Sequence, residues 1–461
     1  MKQEETGPAA GGVWDKLNRQ MSLRALLCGI SQKTVNWLVF PLLGVLALMP
    51  PLVALGLKWL YLMWLGYYAV FFGVLLLVWD GVQPRARTGG RRDWLRDHGL
   101  KLFLGLMLLW SVLSTLTSTN RELSFYGDDY RQDGLLAYFY YAGYFLLACH
   151  LRDRRLGRWL LALFAFGGAA LALLTRLDFG WLNGGMGVTL DCAVFKNCNH
   201  YGYYLTMALT AAVYLAMSEE KRGRWLGFAV RLAADALALV LLSDALIQCH
   251  TLGALVGVGF ALAVLAAFTL CIQRKKALRL LCVLLLVGAT LAVSSRGSWD
   301  MGREAKRLTK DLQTVGEAVA DKGQSITNTY SVGSGRGILW VNAVRFIGER
   351  PLVGYGPDNL GQRYTEVGAR NDRPHNELLQ FAASLGLPAA LCYVAAMLCH
   401  LLRFLKNLKK VDMALLSLFT VLLAYLTSSM FGNTMYYTSP FFFLLLGLSD
   451  AMLGLRLTDE G

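Results

Sequence analysis

Six arginines and one histidine are gathered in a single polar stretch, Gly333 to Leu379, which reads GSGRGILWVNAVRFIGERPLVGYGPDNLGQRYTEVGARNDRPHNELL. The cations are Arg336, Arg345, Arg350, Arg363, Arg370 and Arg373, and His375 with Asn376 follows just before apolar sequence resumes. Guanidinium stays ionised at any relevant pH and its planar fork matches phosphate oxygens two at a time. Imidazole titrates near neutrality, so a histidine beside such cations is the residue type for removing a proton from a hydroxyl. Arg336 follows Val-Gly-Ser-Gly and precedes an expected helix, an arrangement that would aim its side chain and the free N–H groups of a helix start at one anion. Arg345 and Arg350 fit a solvated helix face equally well.

Two further loops offer matching chemistry. RELSFYGDDYRQDGLLAYF sets Arg131 among aromatic and glycine residues ahead of an apolar run, where anchoring to lipid phosphates is the simpler role. VFKNCNHYGYYLTMAL places Lys196, Asn197, Asn199 and His200 at the lip of the next run, as donors for sugar hydroxyls or phosphate. His250 stands at the end of another. For His200 and His250 the competing reading is an interfacial ring whose polar tip reaches the headgroups. Zinc-type spacing, a Walker loop and a nucleotide-binding glycine fingerprint are all missing from the sequence, and the nearest acidic pair is Asp128 with Asp129. No metal and no cofactor is therefore expected.

The elements that must position these residues are apolar. Of 461 residues, 55% are hydrophobic and 16% charged, against about 25% charged in ordinary soluble domains. Stretches long enough for a helix to cross the hydrocarbon core fall near 35–57, 59–79, 100–118, 135–151, 158–175, 201–218, 227–245, 252–272, 278–294, 377–401, 412–429 and 439–455. The expected class is thus an all-α polytopic integral membrane protein with about twelve transmembrane helices. Its parts would be a cytoplasmic segment 1–34, helices one to nine over 35–294, an extracytoplasmic catalytic loop 295–376, helices ten to twelve over 377–455, and a tail 456–461. The net charge of +14 invites a nucleic-acid partner. That reading fails because the cations sit in short clusters between apolar runs.

Those clusters also orient the chain. Loops 80–99, 152–158, 219–226, 273–279 and 403–410 hold five, four, three, four and four Lys or Arg, whereas the short loops on the other side hold at most two. The positive-inside rule then puts both termini in the cytoplasm and 295–376 outside. Within that loop, Trp299 to Lys322 has the spacing of an amphipathic helix, and a second helix is expected over Gly337 to Glu349, ending before Pro351. Seven of nine cysteines lie in or near apolar segments, where they act as small hydrophobes. Cys192 and Cys198 share an outer loop and are close enough in sequence to form a disulfide where the compartment is oxidising. The first 33 residues show no apolar core followed by a small-residue cleavage site, so no removable signal peptide is expected.

Taken together, FYGDDYRQDGLL, FKNCNHYGYYL, GSGRGILWVNAVRFIGERPLVGYG, RPHNELLQFAASLGLPA and FGNTMYYTSPFFFLLLG resemble, in order and topology, the O-antigen ligase and O-antigen polymerase superfamily over about 100–455. Many members carry Ser-Arg-Gly at the outer side of a middle span, where this chain has His250 and Thr251, so an arginine role there does not carry over. The resemblance implies transfer of a glycan from polyprenyl (undecaprenyl) pyrophosphate to an acceptor hydroxyl on the outer face of the cell membrane. It implies inversion at the anomeric carbon and no nucleotide, in the biosynthesis of surface polysaccharide. Arg336, then Arg131 and Arg345, would stabilise the leaving group, with Asn376, Lys196, Asn199, His200 and His250 lining the substrate site. His375 would be the base. The acceptor stays open between glycan, lipid and protein, the last as in protein O-oligosaccharyltransferases. A transporter or flippase is the alternative of a different class. It would concentrate polar groups at the membrane midplane, and Arg231, Asp235 and Asp244 are the residues that keep it in play.

Overall fold

The computed structural model describes residues 22–83, 91–177, 188–195, 197–218, 225–299, 332–369, 371–432 and 436–458, with a few positions between 302 and 314. Among them the helices are α1 Leu23–Gly29, α2 Gln32–Ala54, α3 Leu60–Val82, α4 Arg91–Leu116, α5 Arg121–Tyr126, α6 Leu135–His150, α7 Arg154–Arg176, α8 Cys198–Ser218 and α9 Trp225–Gln248. They continue with α10 Leu252–Ile272, α11 Ala277–Ser294, α12 Val332–Glu349, α13 Leu360–Glu366, α14 Glu377–Leu385, α15 Leu387–Lys406, α16 Met413–Ser429 and α17 Ser439–Thr458. No strand occurs among the described residues. Local chemistry sets many of the starts, because a short polar side chain just ahead of an apolar run takes a backbone N–H that the first turn leaves orphaned. Asp153 does so for Arg155 and Leu156, and Asp412 for Leu415.

Eight helices are long and apolar enough to cross a membrane, and α6, α16 and most of α17 are shorter apolar helices. The expected span 201–218 is α8, which is buried almost throughout and packs against α7, α9, α10 and α16. A helix wrapped on all sides by protein tolerates the Tyr and Thr that dilute its hydropathy. Around it α2 pairs with α7, α10 with α16, and α6 lies between α3 and α17. Lipid offers no hydrophobic drive between helices, so close backbone approach carries the packing. Gly143 of α6 shows this, since a Cβ there would lie 2.7 Å from the Ala69 carbonyl carbon of α3. Buried charge is paired: Asp450 of α17 meets Lys101 of α4 at 3.1 Å and Arg403 of α15 at 2.6 Å.

Two expectations need correction. The apolar stretch 377–401 is not one helix. It breaks at Gly386, whose φ of +96° and ψ of 160° only glycine adopts readily. The part long and apolar enough to cross a membrane begins at Leu387, and α14 is a separate short helix ahead of it. The chain at 351–356 docks on it: Tyr355 and Gly356 donate to the Ala383 and Ser384 carbonyls at 3.1 and 2.8 Å, and Ser114 of α4 also reaches Ser384 at 2.9 Å. These bonds satisfy carbonyls that the end of α14 would otherwise leave bare. The second correction is that α12 starts at Val332, five residues before Gly337, so Arg336 sits within the helix and not ahead of its first turn. The amphipathic helix expected over 299–322 falls mostly outside the described residues.

Candidate functional site

Chain order brings the C-terminal end of α4 and the N-terminal ends of α6, α8 and α14 to one end of the bundle. Three segments join there, and ion pairs stitch them. Arg373, 2% exposed, donates to Asp133 at 3.0 Å and also pairs with Asp358. Asp358 in turn accepts from the backbone N–H groups of Asp128 at 2.8 Å and Asp133 at 3.3 Å, and Tyr141 of α6 donates to Asp133 at 3.1 Å. Arg131 grips Asp372 with both edges of its fork, Nε at 2.8 Å and Nη2 at 2.5 Å. Asn359 adds bonds to Ser118 and Thr119 at 2.9 and 3.2 Å. The loop after α5 and the segment before α14 are thereby held as one piece, although over two hundred residues separate them in sequence.

His375 lies at the edge of this piece with φ of +53°, a left-handed conformation that costs free energy for a residue with a side chain. Asn376 fixes it from the C-terminal side. Its amide oxygen caps α14 by accepting from Leu379 at 3.0 Å, and its nitrogen donates to the Met430 carbonyl at 3.1 Å. Glu377, 1% exposed, follows as acceptor for Tyr393 and Tyr425, each at 3.1 Å. The imidazole therefore projects from a seat defined on both sides.

Electrostatics mark what surrounds it. Burial lowers the His375 pKa to about 4, and the charges of Arg336 and Arg131 push in the same direction, so the ring is neutral at physiological pH. The same two arginines and Arg373 thus lie within charge range of His375. Arg336 is half-buried and makes no ion pair among the described residues, unlike Arg131. It is also within charge range of Tyr203, whose hydroxyl donates to the Phe431 carbonyl at 2.8 Å. His200, 3% exposed on the first turn of α8, feels Arg131, His375 and Arg373, and its Nδ1 has no hydrogen-bond partner among the described residues.

The carboxylates divide by environment. Burial opposes ionisation of Asp372, but Arg131 and Arg373 outweigh it and hold that carboxyl below its ordinary range. Burial raises Asp133 to about 7 against the pull of Arg373, with Asp358 repelling it.

His375, Arg336, Arg131 and His200 are therefore brought together, with Asn376 directly behind. Others are not. Arg345 is 64% exposed and pairs with Glu349 at 3.1 Å, one turn along α12, within a network that includes Arg363 and Tyr355. It is the solvated face that its helix position allowed. His250 bonds the Ser298 carbonyl at 2.9 Å and stacks edge-on against Trp299, which ties the start of α10 to the end of α11. Asn199 donates to Asn197 at 3.0 Å, Cys192 and Cys198 are free thiols, and Lys196 and Arg370 lie outside the described residues. Asn376 uses one N–H and one lone pair of its amide on protein, beside His375 in the chain. Arg373 with Asp133, Asp358 and Asp372 was missed as a unit in the sequence. The signal available was the run of acids at 128, 129 and 133 facing an arginine-rich loop of opposite charge. The groups that favoured transport do not converge: Arg231 and Asp235 line a cavity toward one end of α9, while Asp244 lies 3.8 Å from Arg176 toward the other. Among the described residues no cluster of His, Cys, Asp and Glu could hold a metal.

Fold and site together define a multi-pass helical membrane protein with a cationic, histidine-bearing site at one end of its bundle. Residues 237–394, about a third of the chain, match the family described as O-antigen ligase. The matched region carries Arg336, Arg373, His375 and Asn376, whereas the Arg131–Asp133 segment lies N-terminal to it. No protein of curated function matches the chain.

Proposed function

We propose that the chain transfers a glycan from a polyprenyl pyrophosphate to an acceptor hydroxyl, with inversion and without nucleotide, at the extracytoplasmic surface of the cell membrane. One observation carries the reading: a half-buried arginine with no ion-pair partner among the described residues, Arg336, shares an electrostatic neighbourhood with a neutral histidine, His375. Breaking the anomeric C–O bond builds negative charge on the departing diphosphate. Arg336 meets that charge in a partly dehydrated site, where a preorganised cation stabilises the transition state more than the ground state. His375 accepts the proton of the attacking hydroxyl as its oxygen bonds to the anomeric carbon from the opposite face. Asn376 holds the imidazole. Arg131, already paired with Asp372, contributes field more than direct grip, and His200 offers its buried Nδ1 to the sugar or phosphate.

The test uses purified protein and a lipid-linked glycan, with and without a second acceptor, so that chain extension and transfer to another molecule are told apart. His375→Ala is expected to lose turnover while keeping its helical circular dichroism. Arg336→Lys keeps the charge and loses the fork, and a fall of about 10²–10³ in kcat is expected if it grips the leaving group. Full turnover by His375→Ala would remove the imidazole from the mechanism.

A further inference from the structure

The end of the bundle opposite His375 carries a second polar feature that catalysis does not use. Two adjoining cavities, of 260 and 690 Å³, share Arg158, Tyr214 and Ser218 as common walls. Ser218 ends α8, whose first turn holds His200, and twenty residues of helix put about 30 Å between the two sites. Arg154 and Lys276 add to the smaller cavity, and Arg155 and Arg231 to the larger. Among the described residues, two carboxylates line the same cavities. Asp412 is engaged in capping α16, at 2.9 Å from the Leu415 N–H, and Asp235 is 4% exposed. The remaining walls are apolar, including Leu161, Leu418 and Met452 on one side and Trp159, Ala162 and Phe166 on the other. Trp159 is 56% exposed and Trp225, at the start of α9, 67% exposed. Tryptophans presented outward beside arginines mark the depth at which headgroups meet acyl chains.

We propose that these cavities form a binding site for the phosphate of an anionic phospholipid, taken from the leaflet opposite the catalytic site. The excess of guanidinium matches a phosphodiester, and the apolar walls accept the first carbons of the chains. Basic pockets between membrane helices are the known setting for such recognition. Their volumes lie within or near the range of about 300–1,000 Å³ usual for ligand clefts. A free anion would use the arginines alone; the tryptophan and leucine walls favour the lipid.

The experiment places the full-length protein in nanodiscs of phosphatidylcholine with increasing phosphatidylglycerol and follows the melting temperature. In parallel, native mass spectrometry in detergent counts the lipids retained by the wild-type protein. The wild type is expected to be stabilised by phosphatidylglycerol and to retain it over phosphatidylcholine, and inorganic phosphate at equal concentration should have no comparable effect. Arg154→Gln with Arg158→Gln should weaken the apparent affinity about tenfold or more, through loss of charge-assisted hydrogen bonds. Arg24→Gln with Lys33→Gln removes equal charge from exposed positions at the same end of the bundle, outside both cavities, and should leave the response intact. Equal retention of the two lipids by the wild type would overturn the proposal even if the double variant fails to fold. So would equal loss in both double variants, which would reveal diffuse attraction, or equal stabilisation by inorganic phosphate.

Discussion

His375 combines three properties that seldom coincide: a left-handed backbone, partial burial, and arginines close enough to depress its protonation. Its pKa falls from 6.5 in the unfolded chain to about 4 in the folded one, so folding favours the neutral ring. The sign follows: this contribution to stability is present above pH 6.5 and is lost as pH falls toward 4. A neutral imidazole is the form that accepts a proton, and kcat/KM should keep its value well below pH 6.5 before declining. Arg336 is one cause of the depression, so Arg336→Gln should move the decline upward, toward 6.5. Peptide-resolved modification of His375 by diethyl pyrocarbonate, which reacts with the neutral ring, reads the same shift without needing turnover. A modification profile unmoved by Arg336→Gln would mean that the two side chains are not electrically coupled. At this scale the sequence revealed His375 and Arg336, because their types and their place beside an apolar run declare themselves. It did not reveal the Arg373 unit, whose partner Asp133 lies 240 positions away and is joined to it only by folding. It ranked Arg336 ahead of Arg345 by placing Arg336 before the helix start; the structure has both on α12, where packing leaves one half-buried and the other solvated.

Helices were the most legible level, since the length and spacing of apolar runs place eleven of the twelve expected spans each on a single observed helix. The exception is where one run conceals two elements. Ser-Leu-Gly-Leu-Pro at 384–388 is apolar enough to pass as continuous, yet Gly386 followed by Pro388 is punctuation that ends one helix and opens another. The break has a purpose in the architecture, for it turns α14 so that His375 and Asn376 face the arginines and its final carbonyls receive the 351–356 turn. A Cβ at Gly386 would lie 2.1 Å from the Leu352 oxygen, in a conformation costing a residue with a side chain about 1–3 kcal/mol. Gly386→Ala is accordingly expected to lower the melting temperature and to reduce transfer together, despite its distance from any reacting atom. Normal stability with the break retained would show that the turn yields more easily than the contacts indicate. The start of α12 escaped the sequence for a related reason: Val-Gly-Ser-Gly has poor helix propensity and points to a later start.

Across the whole molecule the charges form two populations with different tasks. At one end Arg373, Arg131 and their carboxylates are paired beside a neutral histidine, with Arg336 outside those pairs; at the other the cations are numerous, lysine- and arginine-rich, and borne on the ends of α4, α7, α15 and the 274–276 turn. The expectation from the positive-inside rule is that the second population faces the cytoplasm, and the proposed function depends on it: a diphosphate at the His375 end would then be reached from the outer leaflet. Single cysteines can decide it. With the seven cysteines that are not buried (Cys28, Cys192, Cys198, Cys271, Cys282, Cys392 and Cys399) replaced by serine, Arg345→Cys on α12 and Lys33→Cys at the start of α2 place exposed thiols at the two ends. In sealed, right-side-out vesicles a membrane-impermeant maleimide should label the first and spare the second until detergent is added. The reverse pattern would turn the molecule over, placing the arginine and histidine site where nucleotide-activated sugars are available and removing the reason for a lipid-linked donor. Labelling of both thiols in intact vesicles would mean that the apolar helices do not separate the two ends as their lengths require.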